Sequence, residues 1–400
     1  MGFLSALAAP WMFKFLWAPL VDRWWWPGVG RRRSWIVPLQ ALLVVACLVA
    51  AATHHHLWLL LALVFVMNLL AATQDVAVDG LAVDLLGKED LGPGNAVQVV
   101  GYKLGMILGG GLLVWLSADI GWGGLFLGMA AVTAGVLGVS LVWREPPPPV
   151  GVEAPPESLG QVLASLRAAV AAPGGVALLV FIGTYRVGEA CVDAMYKPFL
   201  VDARVSLEDY GLWVGTYGAV ATVVGSLLGG WLVFRLGIPR VLGASLVLRC
   251  GPLGAWALLA FLHQSGGGSK DAPLTPLPES ALVATIVLEH LVSGVLTTSM
   301  FAFMMGCVDR RIGASHYTLL ASVEVIGKMT GAFSGVLAER TGYAGLFLGG
   351  TLVALVLSPL MRTALLAMRS ATLTMEKTEE KTAETKAVEA APGPAVKDWP

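Results

Sequence analysis

Long uninterrupted apolar runs constrain this chain more than any other feature. Each run is close to the roughly 20 residues that a helix needs to cross the hydrocarbon core of a bilayer. Eleven such runs can be counted, at 3–21, 35–52, 57–78, 96–117, 122–143, 175–199, 211–234, 241–262, 281–305, 317–337 and 343–362. None shows the alternating pattern of membrane barrel strands. The sequence therefore predicts an all-α membrane protein with eleven transmembrane helices.

Composition supports this class and excludes others. Hydrophobic residues make up 56% of the chain and charged residues only 13%, about half the charged fraction of soluble domains. The net charge of -1 argues against a nucleic-acid binder held by a basic surface. The cysteines lack metal-like spacing, and His54–His56 lack acidic or Cys companions. We therefore expect no metal and no cofactor.

Lys and Arg are concentrated in one set of connecting segments. That set contains Arg23, Arg31, Arg32, Arg33, Lys88, Arg144, Arg167, Arg235, Arg240, Arg310 and Arg311, whereas the other contains Arg204, Lys270 and Arg340. Cytoplasmic loops carry the excess of positive residues. The first set is therefore predicted to be cytoplasmic, together with the central linker and the C-terminal tail. The sequence does not indicate which membrane holds the protein.

The apolar pattern divides the chain into four regions. Residues 144–174 form a Pro-rich linker between an N-terminal helical bundle (1–143) and a C-terminal six-helix bundle (175–366). Residues 367–400 are rich in Lys, Glu, Thr, Ala and Pro, so we expect a disordered tail.

An internal repeat relates the two bundles. GWGGLFLG (121–128) and GYAGLFLG (342–349) share six of eight residues, and a similar offset aligns Lys103 with Lys328. Chance similarity between apolar helices is the alternative explanation. Parallel repeats are typical of transporter halves. Five helices against six would then mean that the first helix of the N-terminal bundle is missing, and we expect one before Met1.

Charges at the cytoplasmic helix ends suggest a gate. Asp22 and Arg23, followed by Arg31, Arg32 and Arg33, resemble the G-x-x-x-D-R-x-G-R-R loop of the major facilitator superfamily. Such a cluster can latch onto the opposite half in one conformation and release it in another; a simple positive-inside anchor is the alternative. Asp75 and Asp79 share a helix face and are expected to pair with this Arg cluster, unless they are solvated helix-end charges.

Further charges lie inside the predicted spans. Arg186, Glu189, Asp193 and Lys197 fall within an arc of roughly 80° on a helix. A charge at the bilayer centre costs about 2.5–3.5 kcal/mol, so the deeper members must face a cavity or each other. Lys197 is expected to reach the exoplasmic interface. Arg186 and Glu189 are either a cavity-lining pair or a structural ion pair.

The remaining intramembrane charges favour an anionic solute. Lys103, Glu324 and Lys328 occupy corresponding helices, and Lys14, Arg249, Glu289 and His290 add further polar groups. We predict that Lys103, Arg186 and Lys328 bind the solute. Glu189, Asp193 and Glu324 would carry a coupled proton or form ion pairs. Ser315 and His316 stand alone, which argues against an acyltransferase or another enzyme.

Several segments resemble one branch of the major facilitator superfamily. FKFLWAPLVD, AATQDVAVDGLAV, LGPGNAVQVVGYKLG, TYRVGE and SHYTLLASVEVIGK are similar to the acetyl-coenzyme A transporters of solute carrier family thirty-three and to bacterial AmpG-type muropeptide permeases. The resemblance implies two six-helix halves that move a solute by alternating access, often with protons.

The sequence thus predicts a monomeric secondary active transporter with the major facilitator fold. Its partners would be the lipid bilayer, a small anionic solute resembling acetyl-coenzyme A or a related conjugate, and protons. The alternative is a truncated isoform that does not transport and acts as a regulatory or interaction partner, because the first helix lines the central cavity in this fold.

Overall fold

The computed structural model describes residues 7, 9–146, 158–265 and 278–366. These residues are almost entirely helical, and the pairing among them that resembles a strand is one isolated bridge between Trp26 and Gly30. Within the described chain, eight helices are long and apolar enough to cross a membrane. The all-α membrane class is confirmed, whereas the count of eleven stays a prediction. The predicted tail, the Pro-rich core of the linker at 147–157, and residues 3–6 and 8 of the first span lie outside the described residues.

The N-terminal half, residues 9–146, begins with short helical pieces and continues with long helices. Its α-helices are α1 (Ala9–Phe13), α2 (Ala18–Arg23), α3 (Arg33–Thr53), α4 (Leu57–Leu85), α5 (Leu91–Met106) and α6 (Leu113–Val142). A 3-10 turn at Lys14–Leu16 joins α1 to α2, and a π-helical segment at Ile107–Leu112 joins α5 to α6.

The C-terminal half, residues 158–366, starts with a short amphipathic helix. Its α-helices are α7 (Leu159–Ala171), α8 (Gly175–Thr184), α9 (Val187–Asp202), α10 (Leu207–Tyr210), α11 (Gly218–Leu236), α12 (Ile238–Ser265), α13 (Glu279–Gly306), α14 (Gly313–Lys328) and α15 (Ser334–Leu357). A π-helical segment, Gly211–Tyr217, precedes α11, and the 3-10 segments Arg310–Ile312 and Met329–Phe333 flank α14.

Two glycines of the sequence repeat have the same unusual backbone conformation. Gly121 has φ 70° and ψ 178°, and Gly342 has φ 70° and ψ 171°. This left-handed region is open to Gly at little cost. Each glycine interrupts a helical stretch, of 52 residues at Leu91–Val142 and 57 residues at Arg310–Leu366, that is long enough for two membrane crossings. The repeat is therefore a structural repeat as well as a sequence repeat.

Small residues allow the halves to pack closely. A Cβ atom added to Gly92 of α5 would lie 2.6 Å from the carbonyl oxygen of Gly230 in α11. A Cβ on Gly230 would lie 2.6 Å from the Cβ of Ala96. Close backbone approach at small residues is the usual way in which membrane helices associate. These glycines therefore fix where the N-terminal and C-terminal halves cross.

Apolar and charged side chains are distributed in the reverse of the way found in a soluble protein. Large apolar side chains such as Trp58, Phe234 and Val356 are exposed, as suits contact with lipid. Several ionisable side chains, among them Lys14, Asp79, Glu189, Arg249 and Glu324, are buried instead. Because buried charges require partners, these residues lead directly to the candidate site.

Candidate functional site

A cavity of about 590 Å³ lies between the two halves, within the size range of small-molecule sites. The N-terminal half contributes Lys14, Asp75, Asp79 and Lys103, and the C-terminal half contributes Arg186, Asp193, Lys197, Glu289, Glu324 and Lys328. Glu189 lies beside it and lines an adjoining pocket with Arg186, Asp193 and Lys328. The structure thus brings together all six residues that the sequence assigned to solute binding or proton coupling.

Arg186 occupies the break between α8 and α9, from which its side chain reaches two carboxylates. Its Nη2 lies 3.0 Å from Glu189 Oε1, one turn along α9, and its Nη1 lies 3.3 Å from Glu324 Oε1. Lys328 Nζ is 3.0 Å from the same Glu324 oxygen, which also accepts a 2.7 Å hydrogen bond from the Tyr185 hydroxyl. Arg186 and Lys328, two of the predicted solute-binding residues, therefore already contact carboxylates.

Arg249 of α12 connects three further carboxylates. Its Nη2 lies 2.7 Å from Glu189 Oε1, 3.4 Å from Asp193 Oδ1 and 3.6 Å from Glu289 Oε1. Trp256 Nε1 donates a 2.9 Å hydrogen bond to Glu289 Oε2. The sequence counted Arg249 and Glu289 among the intramembrane charges without giving them a role. Their location in apolar spans is the signal that marked them, but their contacts cross helices and cannot be obtained from spacing.

The N-terminal side of the cavity holds a second, smaller cluster. Lys14 forms a short ion pair with Asp75, and Gln98 Nε2 donates a 2.6 Å hydrogen bond to Asp79 Oδ1. The predicted pairing of Asp75 and Asp79 with the Arg cluster is therefore not found. The acid of α4 that contacts the Arg cluster is Asp84, at the end of the helix. Asp75 lies nine residues earlier, about 13 Å away along the helix axis at 1.5 Å per residue, and is therefore too far from the cluster.

A polar latch closes the space between the halves at the face that carries the linker, here called the linker face. Asp22, fully buried, lies 3.0 Å from Arg31 Nη2 and 2.7 Å from Arg32 Nη1. It also accepts hydrogen bonds from the backbone N–H groups of Ala314 (3.3 Å) and Ser315 (2.7 Å). These N–H groups belong to the first turn of α14 in the other half. Asp22 therefore uses both neighbouring guanidinium groups and a helix N-terminus, which favours negative charge.

The loop between α2 and α3, which carries Arg31 and Arg32, is held in place by contacts of Asp84, Glu145 and Arg33. Asp84 Oδ2 lies 2.6 Å from Arg32 Nε. Glu145 accepts 2.9 Å hydrogen bonds from the backbone N–H groups of Arg32 and Arg33, which satisfies the N-terminus of α3. Arg33 in turn donates to the carbonyl oxygens of Ser140 and Leu141 at the end of α6. Residue spacing does not indicate this role of Glu145, because the helix that it caps is distant in sequence.

The predicted gate residues thus divide into two groups. Asp22, Arg31 and Arg32 lie in the latch, whereas Asp75 and Asp79 lie in the cavity. Arg23 is half-buried at the end of α2 and has no ion pair with a described residue.

Burial acts on the electrostatics of the latch. It lowers the pKa of Arg31, and the adjacent Arg32 lowers it further, while Asp22 opposes both effects. Burial also lowers the pKa of Arg32, but the attraction of Asp22 and Asp84 is the larger effect, so the pKa of Arg32 is raised. Loss of either carboxylate would leave two buried guanidinium groups with one acid between them, which is costly.

Known proteins are similar to this chain in sequence and fold. The sequence profile of the Major Facilitator Superfamily matches residues 1–189. The anhydromuropeptide permease of Escherichia coli K12 is 31% identical over 356 residues, which cover 87% of this chain and 69% of the permease. The putative transporter AmpG 4 of Rickettsia conorii is 24% identical over 353 residues, or 86% of this chain and 82% of the transporter.

Solved structures agree in fold. The human organic anion transporter MFSD10 superposes with a TM-score of 0.61 at 16% identity, covering 89% of this chain and 82% of that one. A bacterial homologue of the iron transporter ferroportin in its outward-facing state gives a TM-score of 0.59 at 17% identity, covering 91% and 89%.

Proposed function

The chain belongs to the AmpG-like branch of the major facilitator superfamily, and on that premise we propose that it is a secondary active transporter of a small anionic solute. The observation that carries the proposal is the cavity between the halves, lined by charged side chains from both. Such a cavity between repeated bundles is where transporters bind their solutes.

The latch supports alternating access. Asp22 and the N-terminus of α14 belong to opposite halves, and their contact closes the linker face. In the complementary conformation these hydrogen bonds would break and the linker face would open. We place the linker and the C-terminal tail in the cytoplasm, so the conformation seen here would have its cytoplasmic side closed. The transporter would act as a monomer.

The solute we propose is an acyl-coenzyme A or a related anionic conjugate. Lys103, Arg186 and Lys328 supply positive charge at the cavity wall, and Arg suits phosphate and carboxylate groups. The named cargo of the Escherichia coli relative, an anhydromuropeptide, supports the broader class of anionic conjugates. A coupled proton would be carried by the carboxylates of the network, with Glu189, Asp193 and Glu324 as the candidates.

Uptake into proteoliposomes tests the proposal. Labelled acetyl-coenzyme A and labelled anhydromuropeptide would be offered separately to vesicles containing the purified chain, with and without an inward proton gradient. We expect saturable uptake of one of them, stimulated by the gradient, and none in vesicles without protein. Arg186→Gln is expected to abolish this uptake, whereas Arg240→Gln, exposed on the linker face, should preserve it. Absence of saturable uptake of both conjugates would overturn the proposal.

A further inference from the structure

We propose that Lys103 and Lys197 hold the solute's anionic group between the two halves, and that a proton on Asp193 decides whether Lys197 is free to do so. This inference rests on the proposed transport of an anion. It refines the binding set proposed above: Lys103 is kept, Lys197 is added, and Arg186 and Lys328, which already contact carboxylates, act by holding the charge network in place. It also differs from the sequence prediction that Lys197 only reaches the interface.

The first observation is that two cavity lysines lack a carboxylate partner. Lys14, Arg186, Arg249 and Lys328 each contact a carboxylate. Lys103 and Lys197 contact none among the described residues; each lies 5.8 Å from the ring centre of the preceding tyrosine. They come from opposite halves and line the same cavity. An anion between them would relieve their repulsion and draw the halves together.

The second observation is an excess of negative charge in the C-terminal network. Four carboxylates, on Glu189, Asp193, Glu289 and Glu324, face three cations, on Arg186, Arg249 and Lys328. A single uncompensated charge in this setting is costly, and binding one proton removes it.

Asp193 is the carboxylate with the weakest compensation. Glu189 contacts two guanidinium groups. Glu324 has Arg186, Lys328 and the Tyr185 hydroxyl, and Glu289 has Arg249 at 3.6 Å and the Trp256 N–H group. Asp193 has Arg249 at 3.4 Å and no second donor among the described residues. Its side chain is also 43% exposed, so a proton from water can reach it through the cavity.

The shared cation of Asp193 and Glu289 supports the same assignment. Arg249 Nη2 lies 3.4 Å from Asp193 Oδ1 and 3.6 Å from Glu289 Oε1, so the two carboxylates share one guanidinium group. A proton bound by one of the two would remove the repulsion between them. Asp193, open to the cavity, is the member that can exchange it with water, while Glu289 is almost fully buried.

Spacing on α9 links this proton to Lys197. Asp193 and Lys197 are four residues apart and share a helix face, where an acid and a base can pair. When Asp193 is ionised, it competes with the solute for Lys197. When Asp193 is protonated, it no longer competes for Lys197 and leaves it to the anion. The proton and the anion would therefore bind together and leave together.

The groups around Asp193 come from every helix that packs near it. They are Arg186, Glu189 and Tyr196 on or beside α9, Arg249 on α12, Glu289 and His290 on α13, Glu324 and Lys328 on α14, and Lys103 on α5. His290 is the other group that could titrate near neutral pH. It is held by a hydrogen bond between Nδ1 and the carbonyl oxygen of Ile286, so a His290→Gln variant separates its contribution from that of Asp193.

The decisive experiment measures exchange and gradient-driven uptake of labelled acetyl-coenzyme A or labelled anhydromuropeptide, whichever the wild-type chain transports, against pH. Asp193→Asn is expected to keep exchange, to lose its pH dependence, and to reduce gradient-driven uptake about tenfold or more. Lys197→Gln should raise the half-saturation concentration about tenfold. The exposed controls Asp119→Asn and Lys88→Gln should behave as wild type, and His290→Gln should keep the pH dependence that Asp193→Asn loses.

Infrared spectroscopy of the purified chain supplies a readout that requires no solute. A protonated carboxyl band is expected at neutral pH in the wild-type protein, and it should weaken in Asp193→Asn but not in Asp119→Asn. An unchanged band, an unchanged pH profile of Asp193→Asn, or an unchanged half-saturation of Lys197→Gln would overturn the inference. A wild-type chain that transports neither conjugate would overturn the proposed function instead.

Discussion

Arg249 is the residue on which the C-terminal charge network most depends. It is 2% exposed and lies within 3.6 Å of Glu189, Asp193 and Glu289. Arg249→Met keeps much of the side-chain volume but leaves three carboxylates facing one another. Removal of one partner from a buried pair costs about 3–5 kcal/mol, so we expect a clearly lower midpoint of thermal unfolding in detergent.

The control for this substitution is Arg240→Met, because Arg240 is exposed and its hydrogen bond goes to the carbonyl oxygen of Leu236, the last residue of the preceding helix α11. This variant should unfold at the wild-type midpoint. Equal midpoints for both variants would mean that the network does not stabilise the fold.

At the residue scale, the sequence predicted which charges matter but not their partners. An ionised side chain inside an apolar run is conspicuous, and helical periodicity placed Arg186, Glu189 and Asp193 on one stripe. The contact of Arg249 with Glu189 joins α12 to α9, which only the packing of helices determines. The same limit explains why Asp75 was expected beside the Arg cluster and is found with Lys14.

At the element scale, the latch between α2 and α14 is the contact that alternating access must break. Asp22→Asn keeps the shape of the side chain but removes the charge that faces Arg31, Arg32 and the start of α14. Hydrogen bonds to charged groups contribute about 1.5–3 kcal/mol each, so the linker face is expected to open more often.

A buried cysteine reports this opening. Thr318 is fully buried and lies one turn beyond Ala314 on the same face of α14, so Thr318→Cys should react with a water-soluble maleimide only when the latch opens. Labelling above the background of the native cysteines should increase about tenfold in Asp22→Asn and stay unchanged in the exposed control Asp90→Asn. No increase would show that Asp22 does not hold the face closed.

The crossing of α5 and α11 gives a second test at this scale. Gly230→Ala would place a Cβ 2.6 Å from that of Ala96 and 2.9 Å from the carbonyl oxygen of Gly92. Overpacking of this kind costs about 1–3 kcal/mol, and the midpoint of thermal unfolding should fall. Gly101→Ala is the matched control on α5, because nothing lies within 4 Å of its added Cβ. A midpoint for Gly230→Ala equal to that of Gly101→Ala would argue against a tight crossing.

The elements themselves were largely predictable, because apolar runs of membrane length leave few alternatives to helices. The repeat GWGGLFLG and GYAGLFLG was visible in the sequence, but the left-handed turn at Gly121 and Gly342 was not. Gly is frequent in membrane helices in general, so its presence in an apolar run does not mark a break. Glu145 was hidden for a similar reason, since capping of a remote helix leaves no periodic signal.

At the scale of the whole molecule, charge is distributed between two separate places. The latch joins the halves through carboxylates and guanidinium groups at the linker face. The cavity holds its own set of acids and bases, several of them already paired, with Lys103 and Lys197 left without carboxylate partners among the described residues. The two places would act in turn: the latch closes one face while the cavity exchanges solute and proton at the other.

Distances between spin labels on opposite faces test alternating access most directly. One pair, at Lys88 and Arg240, spans the halves at the linker face, and a second pair, at His55 and Glu208, spans them at the opposite face; all four positions are exposed. Each pair would be introduced as cysteines into a chain without native cysteines and measured at two pH values, with and without acetyl-coenzyme A or anhydromuropeptide. We predict that the first distance lengthens as the second shortens. Two distances that stay fixed under all conditions, or that lengthen together, would contradict the account.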